Sequence, residues 1–297
     1  MTLAVELENA SKSFGSVQAL RNVSIQVQAG EVVAFLGPNG AGKTTAISLM
    51  LGLRSPSRGR AKIFGQNPRE PKHRARIGVM LQESGVPGLL KVRELIQLFS
   101  QFYHQPLMVS KVLEMANLTE KKDAIASTLS GGQKQRLYFA LSICGNPDVL
   151  FLDEPSVALD VESRRAFWQE ISGFAKTGKT VILTTHYLEE ADALANRIIV
   201  INKGEIVAQG SPAQIKSRVG GKNVSFKLEA GNAATLEQLP NVQRFSKTGD
   251  SVNLYTLEPE KVLQEVFAQG LQISNLNVAG AGLEEAFMEI TEQGAKQ

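Results

Sequence analysis

The chain has 297 residues, 43% of them hydrophobic, enough for one large domain with a sizeable core or for two smaller ones. Its 32 Lys and Arg against 29 Asp and Glu leave a net charge of +3, too little to suggest an electrostatic nucleic-acid binder, so no nucleic-acid partner is expected. A single cysteine, Cys144, excludes an intrachain disulfide and fits a reducing compartment, and neither CxxC pairs nor the Cys/His spacing of a zinc site occurs.

In chain order, the first segment, MTLAVELENASKSF, carries two glutamates where a signal peptide would have a basic and then an apolar region, so export is not expected. Ala4–Leu7 and Val23–Val27 alternate apolar and polar residues, which predicts an antiparallel β element at the edge of a sheet. The apolar runs Val32–Leu36, Val149–Leu152, Val181–Leu183 and Ile198–Ile201 are strand-sized, far below the roughly 20 residues of a membrane span, and alternate with amphipathic stretches. That pattern predicts an α/β fold with a parallel sheet. From Val92 to about Ala126 the spacing turns helical, with Leu95, Leu98, Phe99 and Phe102 on one expected face. A boundary is expected near the paired glycines of GSPAQIKSRVGG, separating residues 1–220 from 221–297. The tail reads as strand, helix, two strands joined at Lys247-Thr248-Gly249-Asp250, helix, strand and a closing helix at Leu283–Gln293, a split βαβ, ferredoxin-like order.

Three motifs carry chemistry. Gly37-Pro38-Asn39-Gly40-Ala41-Gly42-Lys43-Thr44 follows an apolar strand and opens a helical run continued by Thr45, the context of a phosphate-binding loop. Its glycines let backbone N–H groups close around a β-phosphate, Lys43 reaches β/γ oxygens, and the Thr44 hydroxyl suits Mg²⁺. Asp148-Val149-Leu150-Phe151-Leu152-Asp153-Glu154 reads as a strand buried on both faces that delivers two carboxylates at its C-terminal end. Asp153 is placed to hold Mg²⁺ through water and Glu154 to orient or deprotonate an attacking water. Leu129-Ser130-Gly131-Gly132-Gln133 presents a hydroxyl and open N–H groups at the start of a second helical pattern; alone it would be a helix cap.

Together these motifs resemble the ATP-binding subunits of ABC transporters, over about residues 3 to 215. The resemblance implies a P-loop cassette: a RecA-like parallel sheet, an antiparallel β element and a helical subdomain at about 86–145, followed by the small α+β tail. It puts Phe14 against adenine, a core ring being the other reading. Gln82 looks like the glutamine that senses Mg²⁺ and the attacking water, and Asp160 like the polar end of the loop Ser156-Val157-Ala158-Leu159-Asp160 that connects one site to another subunit. His186, after the run Thr180–Thr185, looks like the γ-phosphate-sensing histidine. The stretch from His186 through Glu189-Glu190-Ala191 to Gly210-Ser211-Pro212, and Leu283–Thr291, look like drug-type and ABC-2-type exporters.

The resemblance further implies ATP and Mg²⁺ as ligands and a peripheral place on the cytoplasmic face of the cell membrane. It also implies a separate ABC-2-type transmembrane permease and a head-to-tail pair of ATP-binding subunits. In that pair Ser130, Gly131, Gly132 and Gln133 of one copy complete the site of the other. A soluble cassette of translation or DNA maintenance would need two cassettes or a coiled coil between Lys43 and Leu129; the 129 − 43 = 86 residues there lack heptads. A dead regulatory subunit is disfavoured because Glu154 and Leu129–Gln133 are intact. The loop after Gln82, with Gly85, Pro87 and Gly88, is the expected surface for a permease.

Overall fold

The computed structural model describes residues 2–81, 85–157, 159–230 and 234–293. The chain forms two compact units, 1–211 and 212–297.

The first unit is built on a six-stranded sheet of order β5-β6-β7-β3-β8-β9, made of β3 (Val32–Leu36), β5 (Ile77–Met80), β6 (Val149–Asp153), β7 (Thr180–Thr184), β8 (Arg197–Asn202) and β9 (Glu205–Gly210). The first five of that order run parallel and β9 closes the sheet antiparallel to β8. Every residue of β3, β6 and β7 is buried, the physical counterpart of their uninterrupted apolar runs: strands covered on both faces cannot alternate. Because these neighbours are parallel, their C-terminal ends lie along one edge.

The expected antiparallel β element differs in one respect. β1 (Leu3–Phe14) and β2 (Val17–Gln28) do not extend the main sheet; with β4 (Arg58–Ile63) they make a separate antiparallel sheet of order β2-β1-β4. Its inward residues Leu7, Leu20, Ile25 and Val27 share a core with Phe35, Ile47, Met50, Phe151 and Ile199. Helix α1 (Lys43–Met50) is thus covered from two sides, and a second apolar surface is needed to bury Ile47, Leu49 and Met50, none of them more than 1% exposed. Fully burying one such side chain is worth about 1.5–3 kcal/mol, so the helix that starts at Lys43 is fixed firmly at the sheet edge.

Between β5 and β6 lies the helical insert: α2 (Val92–Ser100), α3 (Val109–Met115) and α4 (Gly131–Ile143). The buried stripe of α2 is Val92, Leu95, Ile96 and Ser100, whereas Leu98 is 39% and Phe102 76% exposed. The expected face was rotated because two stripes fit a 3.6-residue period here, and Phe102 falls beyond the helix end. Two further helices, α5 (Val161–Ala175) and α6 (Leu188–Leu194), follow β6 and β7.

The second unit holds α7 (Pro212–Lys216), β10 (Lys222–Ala230), α8 (Ala234–Glu237), β11 (Arg244–Thr248), β12 (Ser251–Thr256), α9 (Pro259–Ala268), β13 (Gln272–Gly280) and α10 (Leu283–Gln293). Its four strands form one antiparallel sheet of order β11-β12-β10-β13. Val224, Phe226, Leu236, Val252, Leu254, Val262 and Val266 form its core.

Candidate functional site

The loop from Gly37 to Gly42 joins β3 to α1. Gly42 is the N-cap of α1 at φ +111°, and a Cβ there would lie 2.6 Å from the Ala19 carbonyl oxygen, so only glycine fits. With no side-chain cap and no acidic residue in its first turn, α1 leaves its N-terminal N–H groups and dipole open to an anion. The loop is braced from behind: Gly204 N–H donates to the Ala41 carbonyl at 2.9 Å, and Arg21 N–H donates to the Gly204 carbonyl at 2.8 Å.

Lys43 is buried, its Nζ donating to the carbonyls of Gly37 at 2.7 Å and Pro38 at 3.1 Å. Burial pulls its pKa down, opposed by the charges of Glu154 and Asp153. The lysine therefore sits inside the loop, facing the two carboxylates at the end of β6. Thr44 is exposed beside it and Thr45 half-buried.

Asp153 is buried and its Oδ1 accepts a short hydrogen bond from the Thr184 hydroxyl at the end of β7. Glu154 adopts left-handed backbone, φ +51°. Its N–H is shared between the carbonyl and the hydroxyl of Thr184, both at 3.1 Å. That turn brings Glu154 Oε2 to 3.4 Å from Nδ1 of His186, whose side chain is 44% exposed. The His186 ring packs on Tyr187 with centroids 4.1 Å apart, and Tyr187 lies under the Arg164 guanidinium at 3.6 Å. Phe14 is 38% exposed at the end of β1, outside any core, with Lys12 and Arg54 5.3 and 5.0 Å from its ring centroid.

The structure thus gathers Lys43, Asp153, Glu154 and His186 along the edge formed by the C-terminal ends of β3, β6 and β7. Ser130, Gly132 and Gln133 sit elsewhere, against the loop after β6: a Cβ on Gly132 would meet Leu159 at 3.1 Å, and Gln135 Nε2 donates to the Val157 carbonyl at 3.4 Å. Ser130 caps α4 by accepting from Gln133 N–H at 3.3 Å, while Gln133 Oε1 accepts from Ser130 N–H at 3.1 Å. Asp160 caps α5, accepting from Ser163 N–H at 2.8 Å and its hydroxyl at 2.9 Å. These bonds hold the Asp160 carboxyl below its ordinary value. Gln82 and Ala158 lie outside the described residues. Sequence reasoning missed Thr184, Tyr187 and Arg164; a threonine ending an otherwise apolar buried strand is the signal that could have found the first, since buried hydroxyls need partners.

A glycine cradle at an uncapped helix start, a buried lysine and strand-end acids on a parallel sheet define a P-loop nucleoside triphosphatase. Residues 20–157 match the ABC transporter family, and the Nod factor export ATP-binding protein I of Paraburkholderia xenovorans (strain LB400) is 35% identical over 298 residues, 97% of each chain. The protein of the same name from Cupriavidus metallidurans (strain ATCC 43123 / DSM 2839 / NBRC 102507 / CH34) is 32% identical over 98% of each chain. A dimeric ATP-binding cassette solved in a post-hydrolysis state with ADP and Pi is 28% identical, with a TM-score of 0.62 over 70% of this chain and 98% of its own. The chain belongs to the ATP-binding subunits of ABC transporters. Members of this family are ATPases that form dimers and drive a transmembrane permease. Among the described residues no helix is long and apolar enough to cross a membrane.

Proposed function

We propose that this chain hydrolyses ATP to power export of a drug- or lipid-like substrate through a separate ABC-2-type permease on the cytoplasmic face of the membrane. The observation that carries the reading is the convergence of Lys43, Asp153, Glu154 and His186 on one sheet edge beside an open helix N-terminus. The export names of the relatives agree with it.

In this reading the loop Gly37-Pro38-Asn39-Gly40-Ala41-Gly42-Lys43-Thr44-Thr45 cradles the phosphates, and Lys43 exchanges its two loop carbonyls for β/γ oxygens. Phe14 offers its exposed face to adenine. Glu154 orients or deprotonates the attacking water, and His186, touching it, senses the γ-phosphate. The Thr44 hydroxyl, Gln82 and the Asp153 carboxylate are hard oxygen donors few enough for Mg²⁺, which keeps waters and takes phosphate oxygens as well. Bound there, Mg²⁺ would neutralise charge between the β- and γ-phosphates. Ser130, Gly131, Gly132 and Gln133 serve the ATP of a second, head-to-tail copy, to which the loop ending at Asp160 connects.

A groove of about 480 Å³ lined by Leu53, Val79, Leu81, Val86, Phe99 and Tyr103 lies at the loop expected to meet a permease, and its exposed apolar side chains suit a partner helix. The second unit is read as a ferredoxin-like accessory domain, supported by its βαββαβ order and the strand order β11-β12-β10-β13.

Replacing Glu154 by Gln tests the chemistry: ATP binding is retained while turnover falls by about 10²–10⁴-fold, and the ATP-bound dimer is trapped on size exclusion. Wild-type turnover in this variant would end the assignment. Recovering the tagged chain from membranes should bring a multi-span exporter permease with it; a permease paired with a substrate-capturing importer component would overturn the export reading.

A further inference from the structure

Outside the groups just assigned, one acid among the described residues of the first unit is completely buried. Glu190, on α6, has no exposed surface. Its Oε1 accepts from the Trp168 indole of α5 at 2.9 Å, while Oε2 is enclosed and makes no bond of ordinary geometry. Burial pushes its pKa up, opposed by the hydroxyls of Thr185 and Ser156, the indole and the charge of Arg164. A carboxyl kept away from water is costly unless its acceptors are used, and an apolar residue would fill the same space without that cost.

The groups that act on Glu190 belong to three segments: the bonded indole to α5, and the hydroxyls of Ser156 and Thr185 to two loops of the candidate site. Both hydroxyls lie near the acid without a bond of ordinary geometry, and that of Ser156 is enclosed and unpartnered like Oε2. Ser156 lies in the loop that follows Glu154 and ends at Asp160. Thr185 directly precedes His186, and its hydroxyl accepts from Tyr187 N–H at 2.9 Å, fixing the turn that carries the histidine. A second tie joins the same two loops on the outer side: Arg164 stacks on Tyr187 at 3.6 Å and donates to the Leu159 carbonyl at 3.2 Å.

Resting on the reading of His186 as a site residue, we propose that Glu190 is a positioning residue for ATP hydrolysis, clamping the His186 turn and the loop Ser156–Asp160 into one unit. The two loops then shift together: a movement of the loop facing the second subunit is passed to His186, and through it to Glu154, without a contact of Glu190 to nucleotide. A carboxyl suits this task because one oxygen is held by the α5 indole while the other stays enclosed beside both loop hydroxyls, where a small shift of either loop changes what it can accept.

The test is turnover and ATP affinity of the full-length chain with Glu190→Ala, Glu190→Gln, Trp168→Phe and His186→Ala. Glu190→Ala is expected to lower kcat by about 10- to 100-fold, as a small misplacement of a reacting group does, with KM for ATP within about twofold. Glu190→Gln, which keeps an acceptor oxygen for Trp168, recovers kcat to within about threefold of wild type, and Trp168→Phe gives an intermediate loss. In a His186→Ala background, adding Glu190→Ala changes kcat by less than about twofold, because both act through one group. Multiplying losses in that double variant would overturn the proposal. So would wild-type kcat in folded Glu190→Ala, or in Trp168→Phe should Glu190→Ala fail to fold, alongside an impaired His186→Ala. Wild-type turnover in His186→Ala alone would instead remove the reading of the site, and the proposal with it.

Discussion

The two halves of the candidate site solve their polar problems differently. Along the edge of β3, β6 and β7, functional groups are held by the main chain and by one threonine. Asp153 takes the Thr184 hydroxyl, Glu154 N–H donates to both the carbonyl and the hydroxyl of Thr184, and Lys43 rests on loop carbonyls. At the starts of α4 and α5 the side chains are spent on their own helices: Ser130 and Gln133 cap each other, and Asp160 caps through Ser163. The first half therefore carries charged chemistry that folding does not consume. The second offers open helix N-termini whose side chains are already committed to shaping them.

Mixing two inactive chains gives the largest separation of the halves. Glu154→Gln damages only the edge and Ser130→Arg only the helix start. If each ATP lies between the edge of one copy and the helix start of another, a mixed dimer holds one intact site. Equal mixing should restore about a quarter of wild-type ATPase from two preparations that are each nearly inactive, since half the dimers are mixed. No recovery would sink the head-to-tail arrangement. Within the edge half, Phe14→Ala should weaken ATP binding about tenfold or more by loss of stacking, with an unchanged melting temperature because the ring is exposed. A parallel fall in melting temperature would point to a structural ring.

In the second half, stability should respond where the edge does not. Arg136 on α4 faces Glu170 on α5 at 3.1 Å, yet burial pushes the Glu170 carboxyl up to about 7, with Arg136 and Asn117 opposing the rise. Because its folded pKa lies above the unfolded value, the stability tied to its protonated form is full below the ordinary glutamate range and is lost as pH rises through about 7. Glu170→Gln should flatten that dependence and gain about 2 kcal/mol at pH 8 relative to pH 5 in denaturant titrations. A wild-type pH dependence in the variant would show that the ion pair, not burial, dominates. Smallest is Ser130→Ala, expected to lower stability by about 1 kcal/mol, or about 2–4 °C in melting temperature, through loss of the cap.

The edge half was legible in the sequence because its signals are local. A strand, a glycine loop and a lysine are contiguous, and two acids follow four apolar residues without a gap. The other half was legible only as a motif. That Gln133 and Asp160 turn back onto their own helices depends on three-residue spacings that also suit a nucleotide contact, and the two uses look alike in one dimension. The separate sheet of β1, β2 and β4 was not legible, since alternation shows which face is buried but not what buries it. The face of α2 was misjudged for the related reason that Val92 and Ile96 form a second stripe as good as Leu98 and Phe102.

The left-handed backbone at Glu154 links folding to evolution. A residue with a Cβ pays about 1–2 kcal/mol there, which glycine would not. With the role proposed for Glu154, the fold alone would favour a silent cassette over a working one, and a glutamate at this turn is what selection for turnover would keep. On the same proposal, in a copy released from that demand, position 154 is where drift toward greater stability and loss of activity would coincide.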